Sequence, residues 1–282
     1  MPEINRGLGR PRPEVVADAE VASSQLSALP DRELHDRVIT YLTDASQRST
    51  MNVANFLDEF EAERAGRFSR FLARRYYRDR LIRGFRYSPV VVPDVAAERL
   101  AESPQFDCIL DTCVLGSFTT AQRVGDLAVA QLLEEQCDKP WWTELLEYER
   151  AFFLQLATSE TLLRSELPQK NVSTIARTFS FAMTDLISAI KSHQSLDRVF
   201  EGELTLLFSR NGHGRICVAD VDPNTYVVFE AVDGHRTEEE IAQLCAISPA
   251  ENRRILGSLS DIGSVVLPLR SWTQSTLLQA EC

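Results

Sequence analysis

Apolar residues recur at helical spacing through the first half of the chain, and strand-like runs gather in the second. From Leu29 to about Pro89 the pattern is helical. Within LPDRELHDRVITYLTDA, Leu34, Val38, Tyr41 and Leu42 fall on one face. The next stretch, NVANFLDEFEAERAGRFSRFLARRYYRDRLIRGFRYSP, sets Phe56, Phe60, Phe68, Phe71 and Leu72 among many charges. VVVPDVAAERLAESP reads as a connection with a short helix around Val95 to Ala101. A helix follows from about Arg123 to Gln136, with Leu127, Ala130 and Leu133 in register. The most apolar helix lies in KPWWTELLEYERAFFLQLAT, where Trp142, Leu145, Leu146, Phe152, Phe153 and Leu156 form a stripe. Glu149 sits on or beside that stripe and reads as a paired structural acid in preference to a catalytic one.

Near Asn171 the texture changes. ARTFSF is β-prone, and AMTDLISAIKSH returns to helical spacing at Leu186, Ile187 and Ile190. LTLLFSRNGHGRICVADVD places two β-rich runs around Asn211-Gly212-His213-Gly214, a hairpin signal. TYVVFEAVDG is ambiguous: its composition favours a strand, while Tyr226, Phe229 and Val232 suit a helix. Two capped helices come next. Thr237 stands three residues before Glu240, the spacing of a capping box, and Asp233-Gly234 supplies the preceding turn. Ser248, Pro249 and Glu251 repeat the signal at the second helix, which carries Ile255, Leu259 and Ile262 on one face. Gly263 ends it, and SVVLPL reads as a last strand.

The expected fold is therefore α+β, an all-helical N-terminal domain followed by a small module of winged-helix type. The expected boundaries are a disordered tail over 1–28, a helical partner-binding domain over 29–168 and the winged-helix-type domain over 169–282. Such helix pairs often bind DNA, but charge argues against it here. The chain carries −11 overall, and Asp197 to Cys282 holds seven Arg/Lys against thirteen Asp/Glu, a net of −6. Phosphate contact needs a positive surface, so a nucleic-acid partner is not expected. No run approaches the ~18 apolar residues of a membrane span. The N-terminal residues resemble neither a secretory signal nor a transit peptide, and six cysteines without CxxC spacing suit reduced thiols. A cytoplasmic protein is expected.

One segment departs from the acidic balance. Arg64 to Arg86 contains nine arginines and a single acid, Asp79, a local +8. It reads as a solvated helix face whose arginine stems cover apolar surface, or as a contact surface for an acidic partner. Interleaved Tyr76, Tyr77, Phe85 and Tyr87 would suit base stacking, though nothing else in the chain supports RNA.

Catalytic chemistry is sparse. His35, His193, His213 and His235 are scattered, with no second ligand at i+2 to i+4. HExxH, GxSxG, GxxxxGK[ST] and GxGxxG patterns do not occur. No catalytic residue, metal ligand or cofactor is assigned, and the chain is read as not an enzyme on its own.

ICVADVDPNTYVVFEAVDGHRTEEEIAQLC followed by ILGSLSDIGSVVLPL resembles the PqqD-like RiPP recognition element, through Asp233, Gly234, Thr237, Glu240, Ile241, Leu259, Gly263 and Val265. PWWTELLEYERAFFLQLA and TFSFAMTDLISAI resemble the TglI- and MbnC-type partner subunits of multinuclear non-haem iron oxygenases. The resemblance implies that Asn224 to Val232 is a helix. It implies a heterodimer in which iron is bound by a TglH-like partner, acting on cysteine of a ribosomal precursor peptide. For the TglI type, the implied reaction excises the β-methylene carbon of a C-terminal cysteine in 3-thiaglutamate biosynthesis. A stand-alone peptide-binding adaptor for another modifying enzyme is the alternative. The resemblance also implies that the peptide pairs along Arg215 to Val221 and packs against Ala250 to Leu259. Candidate peptide-binding residues are Arg215, Ile216, Val218, Asp220, Arg253 and Arg254, the cations being matched to an acidic leader. Candidate partner contacts are Arg74, Arg75, Arg78, Trp141 and Trp142, since arginine and tryptophan are favoured interface anchors.

Overall fold

The helix that carries the Trp142 to Leu156 stripe sits between a second helix and a sheet, and its polar side chains hold the segments around it. The structure, a computed structural model, describes residues 31–45, 47, 59–93, 99, 101–135, 137–159, 165–196 and 200–268. The expected tail over 1–28, Phe56, most of the short helix near Val95 and the C-terminal Cys282 lie outside the described residues. The chain is α+β. Its described helices are α1 (Asp31–Thr43), α2 (Glu59–Gly84), α3 (Ser88–Val91), α4 (Pro104–Leu110), α5 (Phe118–Glu134), α6 (Trp142–Ala157), α7 (Met183–Lys191), α8 (Pro223–Ala231), α9 (Glu238–Leu244) and α10 (Pro249–Asp261). The strands are β1 (Gln169–Lys170), β2 (Ile175–Phe181), β3 (Glu201–Arg210), β4 (Ile216–Val221) and β5 (Val265–Val266).

Two compact units are present: Met1–Arg75 with Asp107–Leu115, and Tyr76–Phe106 with Gly116–Cys282. In the first, the end of α1 is tied to the segment after α4. Ala45 N–H donates to Cys113 C=O at 2.9 Å, and Leu115 N–H to Thr43 C=O at 2.8 Å. The Ser69 hydroxyl on α2 donates to Leu42 C=O, and Arg70 and Arg74 pair with Asp111 and Asp107. Val38, expected on a packed face, is exposed.

The second unit is layered. β2, β3 and β4 form an antiparallel sheet in that order. On one face lies α6, whose Tyr148 ring is 5.3 Å from Phe208 and 6.4 Å from Phe179. Helix α5 packs against α6. It starts at Phe118, where the Ser117 side chain accepts from Thr120 N–H. Its buried residues include Ala121, Val124, Gly125, Ala128 and Leu132, not the expected register of Leu127, Ala130 and Leu133. Small residues at 121, 125 and 128 let α6 approach closely; a Cβ at Gly125 would stand 3.3 Å from the Phe153 ring. On the other sheet face, Leu207 and Val221 join Val228, Phe229, Ile241, Ile255, Leu256 and Leu259 from α8, α9 and α10.

Local signals decide the C-terminal elements. The ambiguous TYVVFEAVDG lies in a helix because Asp222 caps it, accepting from Asn224 and Thr225 N–H at 2.9 and 3.1 Å, with Pro223 in the first turn. The Thr237–Glu240 capping box is present. Ser248 accepts from Glu251 N–H at 3.1 Å, but the Glu251 carboxylate turns to Arg254 and closes no second box. Gly263 adopts φ +79°, and a Cβ there would stand 2.2 Å from the Arg210 carbonyl oxygen, so only glycine fits. Of SVVLPL, only Val265–Val266 is a strand, and it pairs with β1 apart from the three-stranded sheet.

Glu149 is fully buried, and it is paired with backbone instead of a cation. Its carboxylate accepts from Tyr87 N–H and from Ser88 N–H at 3.2 Å, holding the start of α3. Burial pushes its pKa from 4.5 up to about 7, against the pull of those N–H donors. Burial likewise lifts Tyr148 to about 12. Below pH 4.5 the Glu149 carboxyl is neutral whether folded or unfolded. Between 4.5 and about 7 the unfolded chain ionises while the folded chain retains the proton. Stability therefore falls as pH rises through that window, by up to about 3 kcal/mol, and is flat above it. Urea unfolding at pH 5 and 7.5 should show this loss in the parent and its absence in Glu149→Gln. Glu149→Ala, which strands two buried N–H groups, should be destabilised by roughly 2–4 kcal/mol at both pH values.

Candidate functional site

Among the described residues β4 pairs only with β3, which makes its other side an edge of the sheet. The register opposes Arg210 to Ile216, Phe208 to Val218 and Leu206 to Asp220. At the hairpin, Asn211 N–H donates to Arg215 C=O at 3.0 Å, which makes that pair hydrogen-bonded. Alternation along an antiparallel ladder then gives Cys217, Ala219 and Val221 the bonds to β3. The N–H and C=O groups of Ile216, Val218 and Asp220 point the other way, to that edge. The loop is braced by Asn211 Oδ1, which accepts from His213 and Arg215 N–H, each at 3.0 Å.

Side-chain parity, left open by the sequence, follows from the same register. Phe208 and Arg210 face α6, through the Tyr148 ring and through an Arg210 hydrogen bond to Gln155 C=O. Ile216, Val218 and Asp220 share that face. Cys217, Ala219 and Val221 lie on the face of α8 to α10, where the Ser209 hydroxyl donates to Ile262 C=O at 2.7 Å.

Helix α10 crosses this second face. Its carboxyl end is pressed onto Arg210 by Gly263. At its amino end, Asp222, the residue after β4, acts electrostatically on both Glu251 and Arg254. Arg254 holds the Glu251 carboxylate at 2.7 and 3.1 Å and keeps its pKa below the ordinary carboxylate value. The Thr225 hydroxyl, assisted by backbone N–H groups, does the same for Asp222. Both acids therefore stay charged at neutral pH. Arg253 lies elsewhere: it is 3.7 Å from Glu238 and lines an open cleft of about 310 Å³ with Glu166, Pro168, Thr237, Glu239 and Pro268.

The expected peptide residues are thus only partly gathered. Arg215, Ile216, Val218 and Asp220 line one strand, and Arg254 stands near its end. Arg253 belongs to the cleft beside α9. Asp222 and Glu251 were missed, although the Asp-Pro pair at 222–223 signals a cap and so an acid beside the strand end. The cationic trio expected to meet an acidic leader is replaced by a two-ended charge pattern. Arg215 stands at one end, and Asp220, Asp222 and the Arg254-paired Glu251 stand at the other.

The expected partner contacts also separate. Arg75 and Arg78 are exposed, and Arg74 is engaged by Asp107. Trp141 and Trp142 are core residues, with Trp141 edge-on to Phe200 at 6.4 Å, so neither is an accessible anchor. Among the aromatics considered for base stacking, Tyr77, Phe85 and Tyr87 are buried, and Arg80 covers Tyr76 at 3.3 Å. Among the described residues, no group of three or more His, Cys, Asp or Glu could hold a metal, and no helix is long and apolar enough to cross a membrane.

No protein-family model matches the chain, and no curated protein matches it.

Proposed function

We propose that this chain is the peptide-recognition and scaffold subunit of a heterodimeric, iron-dependent enzyme that modifies cysteine on a ribosomal precursor peptide. The edge of β4 carries the reading: outward N–H and C=O groups at Ile216, Val218 and Asp220 suit strand addition by an extended peptide. A three-stranded antiparallel sheet, with α7 between β2 and β3, followed by α8, α9 and α10 supports a module of the winged-helix, recognition-element type. The two-ended charge favours a peptide with an acidic residue beside Arg215 and a basic or neutral one beside Asp220 and Asp222. Resemblance to the TglI type supports a TglH-like iron partner and excision of a cysteine β-methylene carbon. The peptide edge alone equally suits a stand-alone adaptor, which would form no complex with an iron enzyme.

Val218→Pro removes an outward N–H and leaves the ladder bonds of Cys217 and Ala219 in place. Edge strands tolerate proline, so circular dichroism should report a folded protein. Affinity for a labelled precursor should fall at least about fivefold. Arg215→Glu should also weaken binding, whereas Arg253→Glu, on the other cleft, should leave it unchanged. Unaltered binding in folded Val218→Pro and Arg215→Glu variants would rule out the β4 edge.

Co-expression with a TglH-like enzyme should yield a stable complex whose iron is held by the partner chain. Elemental analysis of this chain purified alone should find no stoichiometric iron. Iron bound to the isolated chain and lost on mutating its histidines would contradict the assignment.

A further inference from the structure

The three-stranded sheet has two edges, and they are built differently. Among the described residues β2, like β4, pairs only with β3. The odd-numbered residues of β3 bond β4, so its even-numbered residues bond β2. Opposite them stand Ile175, Arg177 and Phe179, which leaves the N–H and C=O groups of Ala176, Thr178 and Ser180 directed away from β3. Side chains engage the outer two of these residues. The Arg177 guanidinium donates to Ala176 C=O at 3.1 Å, and the Glu144 carboxylate of α6 accepts from Ser180 N–H at 3.0 Å. Glu144 also takes Phe181 N–H at 3.2 Å, where the ladder shifts register between Phe179 and Phe181. Thr178 is left between the two clamps. On β4 the register runs unbroken from Ile216 to Val221, and among the described residues no side chain bonds the outward groups of Ile216, Val218 and Asp220.

We propose that Glu144 and Arg177 guard the β2 edge against strand pairing with a second copy of this chain, so that strand addition is directed to β4. Charged side chains and bulges are the devices that blunt a sheet edge, and β2 carries both. The clamps act by occupying the positions that an incoming strand needs. To reach Ser180 N–H, an incoming C=O must displace the Glu144 carboxylate, and the two oxygens repel. To reach Ala176 C=O, an incoming N–H meets the Arg177 guanidinium, another donor. Self-pairing meets both obstacles at once. An antiparallel pair of β2 strands centred on Thr178 sets Ala176 of each copy opposite Ser180 of the other, so each clamp lies in the other strand's path. Hydrogen bonds to a charged partner are stronger than those between neutral groups, so exchanging them for an ordinary ladder is unfavourable.

The guard does not depend on which peptide β4 binds, and its test needs no precursor. Sedimentation velocity over rising concentrations of the full chain should show no association in the parent. Glu144→Ala with Arg177→Ala, folded by circular dichroism, should self-associate with an apparent constant at least about tenfold above the parent's, the gain expected from the hydrogen bonds set free at the two clamps. Adding Thr178→Pro removes the central outward N–H and spares the ladder bonds of Arg177 and Phe179, so it should restore the parent's behaviour. Glu144→Gln keeps an acceptor oxygen and should behave as the parent. Each single alanine variant should associate less than the double one. In the parent itself, the Ser180 and Phe181 amides should exchange slowly and the Thr178 amide fast. A folded double variant that stays unassociated, association that survives Thr178→Pro, a parent that already associates through Thr178, or fast exchange at Ser180 would each overturn the guard. Failure of the parent to bind precursor would overturn the peptide reading alone.

Discussion

Helix α6 has almost no solvent-facing side, and that constraint organises its unit. With α5 against it and the sheet over it, most polar atoms it carries must find a partner inside the protein. Three of its residues find theirs on backbone, and Arg150 pairs with the Asp126 carboxylate. Glu149 takes the N–H groups that open α3. Glu144 receives Ser180 N–H at 3.0 Å and Phe181 N–H at 3.2 Å, where the β2–β3 register shifts. Gln155 donates to Ser173 C=O at 2.5 Å and accepts from Arg210. One helix thereby positions both ends of β2 and the end of β3.

The binding edge is a consequence. Once α6 and α10 cover the two faces, and β2 and β3 are held at their ends, the side of β4 away from β3 is left to provide backbone hydrogen-bonding capacity. Asn171 completes the frame from the far side. Its N–H reaches Ser264 C=O at 2.9 Å and its side-chain amide reaches Gly263 C=O at 3.0 Å, so the segments entering and leaving the helical layer are tied together. An edge held this way can accept an extended peptide with little reordering of the protein, which keeps the entropic penalty of binding low.

Local chemistry was legible in the sequence, and layer chemistry was not. The Thr237–Glu240 box, the Asn211–Gly214 hairpin and the stop at Gly263 each depend on residues adjacent in the chain, and each was readable. The register of α5 was not, because spacing marks a stripe without saying whether large leucines or small alanines and glycine meet α6. Trp141 and Trp142 looked like anchors for an interface but fill the core. Phe68 and Phe71, set among many charges in the sequence, are exposed. In each case composition was ambiguous and only packing decided. The charges of Arg253 and Arg254 fared likewise: neighbours in sequence, they sit on different sides of α10, one with Glu238 and the other with Glu251.

Hydrogen exchange at individual β4 amides tests the central claim most directly. In the free protein, the amides of Ile216, Val218 and Asp220 should exchange rapidly while those of Cys217, Ala219 and Val221 are protected by the ladder to β3. Saturation with the precursor peptide should protect the first set and leave the second unchanged. Rapid exchange of Ile216, Val218 and Asp220 with peptide demonstrably bound would show that the β4 edge is not where the peptide pairs.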